Sequence, residues 1–228
     1  MTSRLGVWTG CAGILALLIP ISMFCVDHPL AQAAQDFAHA YPEIERGFRV
    51  VTELGESSWY LWSSGLSGLI CWGLARSTYW PRAHARLMQG AIGCAWIFSC
   101  VAISGILTQI LKRLIGRPRP SLSEKMGLDM FVFMPFAGSA RWQSMPSGHA
   151  TTVFVLLLAL LPFLSRPWRG AGLALALVIA ASRIITNAHY LSDLFAGALV
   201  AVATVGLLTP RFARLLPRLD MAQGNHSR

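Results

Sequence analysis

Apolar residues gather along this chain into long blocks, and the polar residues crowd into the gaps between them. Blocks at residues 5–26, 58–75, 87–111, 148–164, 171–186 and 189–209 each approach the roughly 20 residues a helix needs to cross a bilayer's hydrocarbon core. The pattern predicts an all-α, polytopic membrane protein: a bundle of six transmembrane helices forming one membrane-embedded domain over residues 1–228. With an even number of spans the termini share a side and successive gaps alternate between the two faces.

The gaps differ in character. Residues 27–57 carry Asp36, Glu43, Glu45, Glu53 and Glu56, interrupted by Phe37, Tyr41, Phe48 and Val50, which predicts an interfacial amphipathic segment outside the cytoplasm, read first as a connector on the bilayer surface. The turn at 76–86, with Trp80-Pro81, and the turn at 165–169 are too short to house a site. Residues 112–147 hold Pro118, Pro120, Pro135 and Pro146 with several glycines, so this stretch is expected to be irregular and ordered by contacts. Residues 210–228 read as a cytoplasmic tail, basic and amphipathic at first, then polar. The first block has a second reading as a cleaved leader, because Ala31-Gln32-Ala33 resembles a processing site, although its apolar run exceeds the usual signal core.

Composition agrees with the block pattern: 54% of residues are hydrophobic and 13% charged, with a mean hydropathy of +0.53. The net charge of +9 is mostly a topology signal rather than a nucleic-acid footprint. Arg4, Arg76, Arg82, Arg86, Arg166, Arg169, Arg211, Arg214, Arg218 and Arg228 fall on one face against the single acid Asp220, and short cytoplasmic loops accumulate such cations. The other face carries the remaining acids together with the lysines, Arg117 and Arg119. Cys11, Cys25, Cys71, Cys94 and Cys100 lie in or beside apolar blocks without metal-ligand spacing and read as small buried hydrophobes. No cluster of carboxylates, histidines or cysteines suggests a metal or other cofactor.

Alternation of the gaps brings three polar segments to the extracytoplasmic face: Lys112–Pro120, Pro146–His149 and Ser182–Asp193. Ser147 precedes an apolar helical run, where it can cap the helix and leave N–H groups for an anion. Gly148 lets an oxyanion approach that backbone, and His149 places an imidazole beside it. Arg183 is the one charge in its apolar block, a costly placement unless it is paired, faces water or snorkels. Lys112 and Arg119 join it at the same surface, and a phosphate between these cations would relieve their mutual repulsion. His189 and Asp193, four residues apart at a helix start, stack on one face, so that a carboxylate can orient an imidazole. His28, His39, His84 and His226 fall in loops or the tail without an evident partner.

These segments resemble the three signatures of the type-2 phosphatidic acid phosphatase superfamily, Lys-x6-Arg-Pro, Pro-Ser-Gly-His and Ser-Arg-x5-His-x3-Asp. Lys112 with Arg119-Pro120, then Pro146 to His149, then Ser182-Arg183 with His189 and Asp193 match them in order. Arg117-Pro118 repeats the Arg-Pro pair two residues early, so spacing sets the register and Arg117 is left as a possible assistant. The resemblance implies that His189 attacks phosphorus, that Asp193 stabilises the imidazolium, and that His149 protonates the leaving oxygen and then activates water. It implies that Lys112, Arg119, Ser147, Gly148 and Arg183 hold the phosphoryl oxygens, without metal. The expected partners are membrane lipids and a lipid phosphate or diphosphate substrate: undecaprenyl diphosphate, phosphatidylglycerophosphate, phosphatidic acid or lipid A. The expected setting is a bacterial inner membrane, with the site facing the periplasm. A lipid phosphotransferase and a non-catalytic lipid transporter or binding protein are the competing expectations.

Overall fold

A computed structural model describes residues 2–77 and 81–216. Helices and short turns account for the architecture, and there is no strand among the described residues. The long helices are α1 (Thr2–Cys25), α4 (Ser57–Arg76), α5 (His84–Ile115), α7 (Gly148–Leu160), α8 (Arg166–Ile185) and α9 (Leu191–Ala213), with shorter α2 (Asp27–Ala40), α3 (Pro42–Thr52) and α6 (Pro120–Met126) between them. Four of the segments are long and apolar enough to cross a membrane: Gly6–Cys25, Arg166–Ile185, Leu191–Ala213 and the stretch His84–Met126 that contains α5. The chain is therefore an all-helical membrane protein. Of the two remaining predicted spans, α4 is 20 residues long but rich in serine and glycine, and α7 with its 3-10 extension is a shorter apolar helix, Gly148–Phe163.

Small residues set the packing. Gly197 lies so close to α7 that a Cβ there would sit 2.7 Å from the Ser147 carbonyl oxygen and 3.1 Å from Thr151. The indole of Trp8 on α1 covers Gly206 of α9, while α4 meets α5 at Gly68 against Cys94 and Gly65 against Phe98. Close approach of this kind favours helix association where lipid tails are as apolar as the side chains. The central core joins Trp96, Cys100 and Val101 of α5, Val155 and Ala159 of α7, and Ala201 and Val205 of α9. Trp96 satisfies its buried indole N–H by donating to the Ala159 carbonyl at 3.0 Å. Cys100 belongs to this core as expected, but Cys11 and Cys25 are exposed on α1, whose Leu17, Ile21 and Phe24 are also turned outward. An α1 apolar on nearly every side has more such positions than the bundle can cover.

The interfacial interval is two helices. Pro42 starts α3, with Glu43 and Glu45 in its first turn, where Pro is preset for the helix and carboxylates complement the N-terminal dipole. Its other end, with the 3-10 turn Glu53–Gly55, lies against α7 and α8. The interval is thus more than a surface connector: a Cβ on Gly55 would come within 2.8 Å of the His149 ring. In the longest gap, Gly116 turns the chain out of α5 at φ +63, and a Cβ there would fall 1.9 Å from the Met134 carbonyl oxygen. Glycine alone fits. The amide of Met134 then donates to the Gly116 carbonyl and that of Phe136 to the Arg113 carbonyl, both at 2.7 Å, so the irregular stretch is ordered by contacts as expected. α9 continues four residues past its predicted end, through Pro210 to Ala213. The rest of the expected tail, residues 217–228, and Trp80 lie outside the described residues.

Candidate active site

One end of the bundle collects the last turn of α5, the start of α7, the last turn of α8 and the start of α9. Lys112 is buried in the last turn of α5, and its Nζ lies 3.6 Å from where a Cβ of Gly148 would stand. The segment after Gly116 is pinned to the one leading into α7: the Arg119 amide donates to the Arg141 carbonyl at 2.9 Å, and the Ser144 amide to that of Arg117 at 3.1 Å. Ser147 then caps α7, its Oγ accepting from the Ala150 amide, while its own amide donates to the Asp193 carbonyl at 2.9 Å. The start of α7 is thereby fixed to the first turn of α9.

Arg183 lies in the last turn of α8, donating from Nη1 to Thr52 Oγ1 at 2.6 Å. Its carbonyl accepts from the His189 amide at 3.1 Å, so the Arg183 backbone positions the histidine. His149 lies within electrostatic reach of Arg183, His189, Lys112 and Arg119. All eight predicted site residues, Lys112, Arg119, Ser147, Gly148, His149, Arg183, His189 and Asp193, therefore meet in one place. Among the described residues no carboxylate lies within ion-pair distance of Lys112, Arg119 or Arg183. Nε of Arg119 and Nε of Arg183 are buried without a hydrogen-bond partner. Unpaired buried cations and donors are costly, and a tetrahedral oxyanion supplies what they lack.

His189 is buried, with Nδ1 3.5 Å from Asp193 Oδ2. That is too long for a hydrogen bond, and Nδ1 has no other partner. Burial, reinforced by the cations of Lys112 and Arg183 and opposed by Asp193, lowers the His189 pKa to about 4. At neutral pH the imidazole is uncharged and keeps a lone pair, as a nucleophile requires.

Asp193 is held from elsewhere. Its Oδ1 accepts from Arg117 Nη1 at 2.7 Å, and its Oδ2 accepts from Ser144 Oγ and from the Tyr190 amide at 2.9 Å. Arg117 also donates from Nη2 to Asp27 Oδ2 at 2.9 Å and from Nη1 to Ser192 Oγ at 2.7 Å, with its guanidinium 4.1 Å from the centre of the Tyr190 ring. Arg117 is thus engaged by two carboxylates, whereas among the described residues no carboxylate lies within ion-pair distance of Arg119. Asp27, Thr52, Ser144 and Ser192 were not singled out from the sequence; the repeated Arg-Pro pair and the isolated acid ending the first apolar block were the only signals. Two histidines read as lacking partners have them: His84 Nδ1 lies 2.8 Å from the Ala75 carbonyl, and His39 lies 3.7 Å from Glu124.

A cluster of cations and a helix N-terminus thus surrounds a neutral histidine with a carboxylate behind it, an arrangement whose chemistry suits an oxyanion held beside a nucleophile. The model of the PAP2 superfamily matches residues 93–216, and the chain belongs to that superfamily as a phosphatase. It is 32% identical over 194 residues to the Lipid A 1-phosphatase of Rhizobium etli, an alignment covering 83% of this chain and 78% of the relative. The Lipid A 1-phosphatase of Rhizobium johnstonii is likewise 32% identical over 194 residues, covering 83% of this chain and 75% of the relative. No solved structure matches the chain.

Proposed function

We propose that this protein is a metal-independent lipid phosphatase of a bacterial inner membrane, acting on the 1-phosphate of lipid A or a closely related phosphorylated glycolipid at the periplasmic face. The observation that carries the reading is the convergence of Lys112, Arg119 and Arg183, without carboxylate partners, on the neutral His189. The two similar phosphatases favour lipid A over the other lipid phosphates. In this reading residues 1–228 form a single domain in which α4 and α7 also cross the bilayer, giving six spans. The arginines of the 76–86 and 165–169 turns then face the cytoplasm.

His189 attacks phosphorus through Nε2, since Nδ1 faces Asp193. The bond from phosphorus to the lipid oxygen breaks as the N–P bond forms, and His149, which takes up a proton when the phosphate dianion offsets the cations around it, gives that proton to the departing oxygen. Asp193 stabilises the positive charge that develops on the His189 ring. Water then attacks the phosphohistidine, His149 takes its proton, and the N–P bond breaks to release phosphate and restore the imidazole. Lys112, Arg119, Arg183 and the amides after Ser147 hold the equatorial oxygens, where charge concentrates in the transition state.

The test is phosphate release by detergent-purified protein in EDTA from lipid A, undecaprenyl diphosphate, phosphatidylglycerophosphate and phosphatidic acid, with His189→Ala alongside. Release from lipid A, abolished in the variant, with acid-labile phosphate trapped on the wild-type protein, supports the reading. Release restored only by adding an acceptor lipid would make the protein a phosphotransferase. Binding without turnover under every condition would make it a lipid-binding protein.

A further inference from the structure

Asp27 is the residue on which the first transmembrane helix hands over to α2, and it lies outside the matched family segment, which begins at residue 93. It is nonetheless buried against the reaction machinery. Its Oδ1 accepts from the Ser192 amide at 3.0 Å, and its Oδ2 accepts from Ser192 Oγ and from Arg117 Nη2 at 2.9 Å. The other half of the same guanidinium holds Asp193. Asp27, Arg117 and Asp193 are each fully buried, so two carboxylates share one cation away from solvent. Such a bridge adds little net stability, because desolvation cancels much of the attraction. Its consequence is electrostatic and geometric: a guanidinium shared with Asp27 neutralises Asp193 only in part.

We propose that Asp27 is a positioning residue for the His189–Asp193 pair. By drawing on Arg117 and fixing Ser192, it sets the orientation of Asp193 and leaves that carboxylate charge to direct at the His189 ring as the ring becomes cationic. The inference rests on His189 being the nucleophile. The charged and titratable groups facing His189 are Lys112 from α5, His149 from α7, Arg183 from α8 and Asp193 from α9. Asp27 acts on it through Arg117 rather than by contact.

In Asp27→Asn the whole charge of Arg117 falls on Asp193. Steady-state phosphate release from lipid A should then show kcat reduced at least tenfold with KM within twofold. The acid limb of kcat/KM should move to lower pH, because the histidine sits in a more positive field. A bridge that only tied α2 to α9 would lower the melting temperature in detergent and leave the kcat of the folded fraction and the pH limb unmoved; that result overturns the proposal. Should Asp27→Asn not purify as folded protein, Ser192→Ala carries the test: it leaves the Arg117–Asp193 pair in place and removes the hydroxyl that Asp27 holds against Arg117. A loss of kcat with KM within twofold supports the proposal, and an unchanged kcat overturns it. His189→Ala separates the two levels: turnover surviving there removes the nucleophile assignment and this inference with it. Turnover abolished there but unaffected in Asp27→Asn removes this inference alone.

Discussion

Replacing Gly197 with alanine tests whether the spacing between α7 and α9 governs the chemistry. A Cβ at this position would lie 2.7 Å from the Ser147 carbonyl oxygen, whereas ordinary contact begins at 3.4 Å, so one backbone must withdraw by about 0.7 Å. Neither backbone is free to yield locally. The Ser147 carbonyl already accepts from Thr151 Oγ1 at 2.9 Å, and the Ser147 amide is bonded to Asp193 one turn before Gly197. The strain is therefore passed to the offset between the start of α7 and the histidine that precedes α9. Displacements near 1 Å in a reacting geometry can cost about 100-fold, so Gly197→Ala should lower kcat by roughly 10- to 100-fold. Stability should move much less. Alanine gains about 1 kcal/mol over glycine inside a helix, while overpacking costs about 1–3 kcal/mol, a net loss of roughly 0–2 kcal/mol. The assay pairs phosphate release with thermal unfolding in detergent, using as control Gly93→Ala on α5, where a Cβ meets nothing within 4 Å. The control should keep its activity. Equal activity and equal melting gain in both variants would refute the idea that this contact sets the site.

Because the folded pKa of His189 lies near 4 and its unfolded value near 6.5, the unfolded chain binds its proton first on acidification. Stability from this group is fully present above about pH 6.5 and is lost as pH falls towards 4, by up to about 3 kcal/mol; unfolding midpoints from pH 7.5 to 4.5 check it, and wild type and His189→Gln should converge at low pH. By the same sign, the free-enzyme acid limb in kcat/KM should lie nearer 4 than 6.5, and a limb at 6.5 that His189 variants leave in place would contradict it. Thr52→Val removes the Arg183 Nη1 partner seen at 2.6 Å while keeping the side chain's volume. It should raise KM several-fold or more in lipid titrations, with little change in the melting curve.

The meeting of the eight predicted site residues was legible because they stand within a few positions of one another in three segments, and the fold brings those segments to one end of the bundle. The residues that hold Asp193 and Arg183 were not. Asp27 and Arg117 are 90 positions apart, and Thr52 and Arg183 are 131 apart. An aspartate at the end of an apolar block looks the same whether it faces water or a buried arginine. Arg117 and Arg119 show the limit most clearly: with identical chemistry two residues apart, spacing chose the anion ligand, but only the fold reveals that the other is bound to two carboxylates. The bundle was legible from its apolar blocks, less so at α4, whose serines and glycines serve packing against α5 at the expense of hydropathy, and at α7, which is short. The interfacial interval read as a connector because an amphipathic pattern marks a surface helix without saying what its buried side touches; at Gly55 that is His149.

The shared guanidinium has a consequence for how the protein is made. Chains are synthesised from the N-terminus, so Asp27 and Arg117 are made well before the final helix delivers Asp193 and Ser192. Until then Asp27 lacks Ser192, and Arg117 lacks both Ser192 and Asp193. Arrival of α9 closes the network, seats the histidine and brings Gly197 against the start of α7 in a single event. A nascent chain of this design therefore completes the surroundings of His189 and Asp193 only with α9.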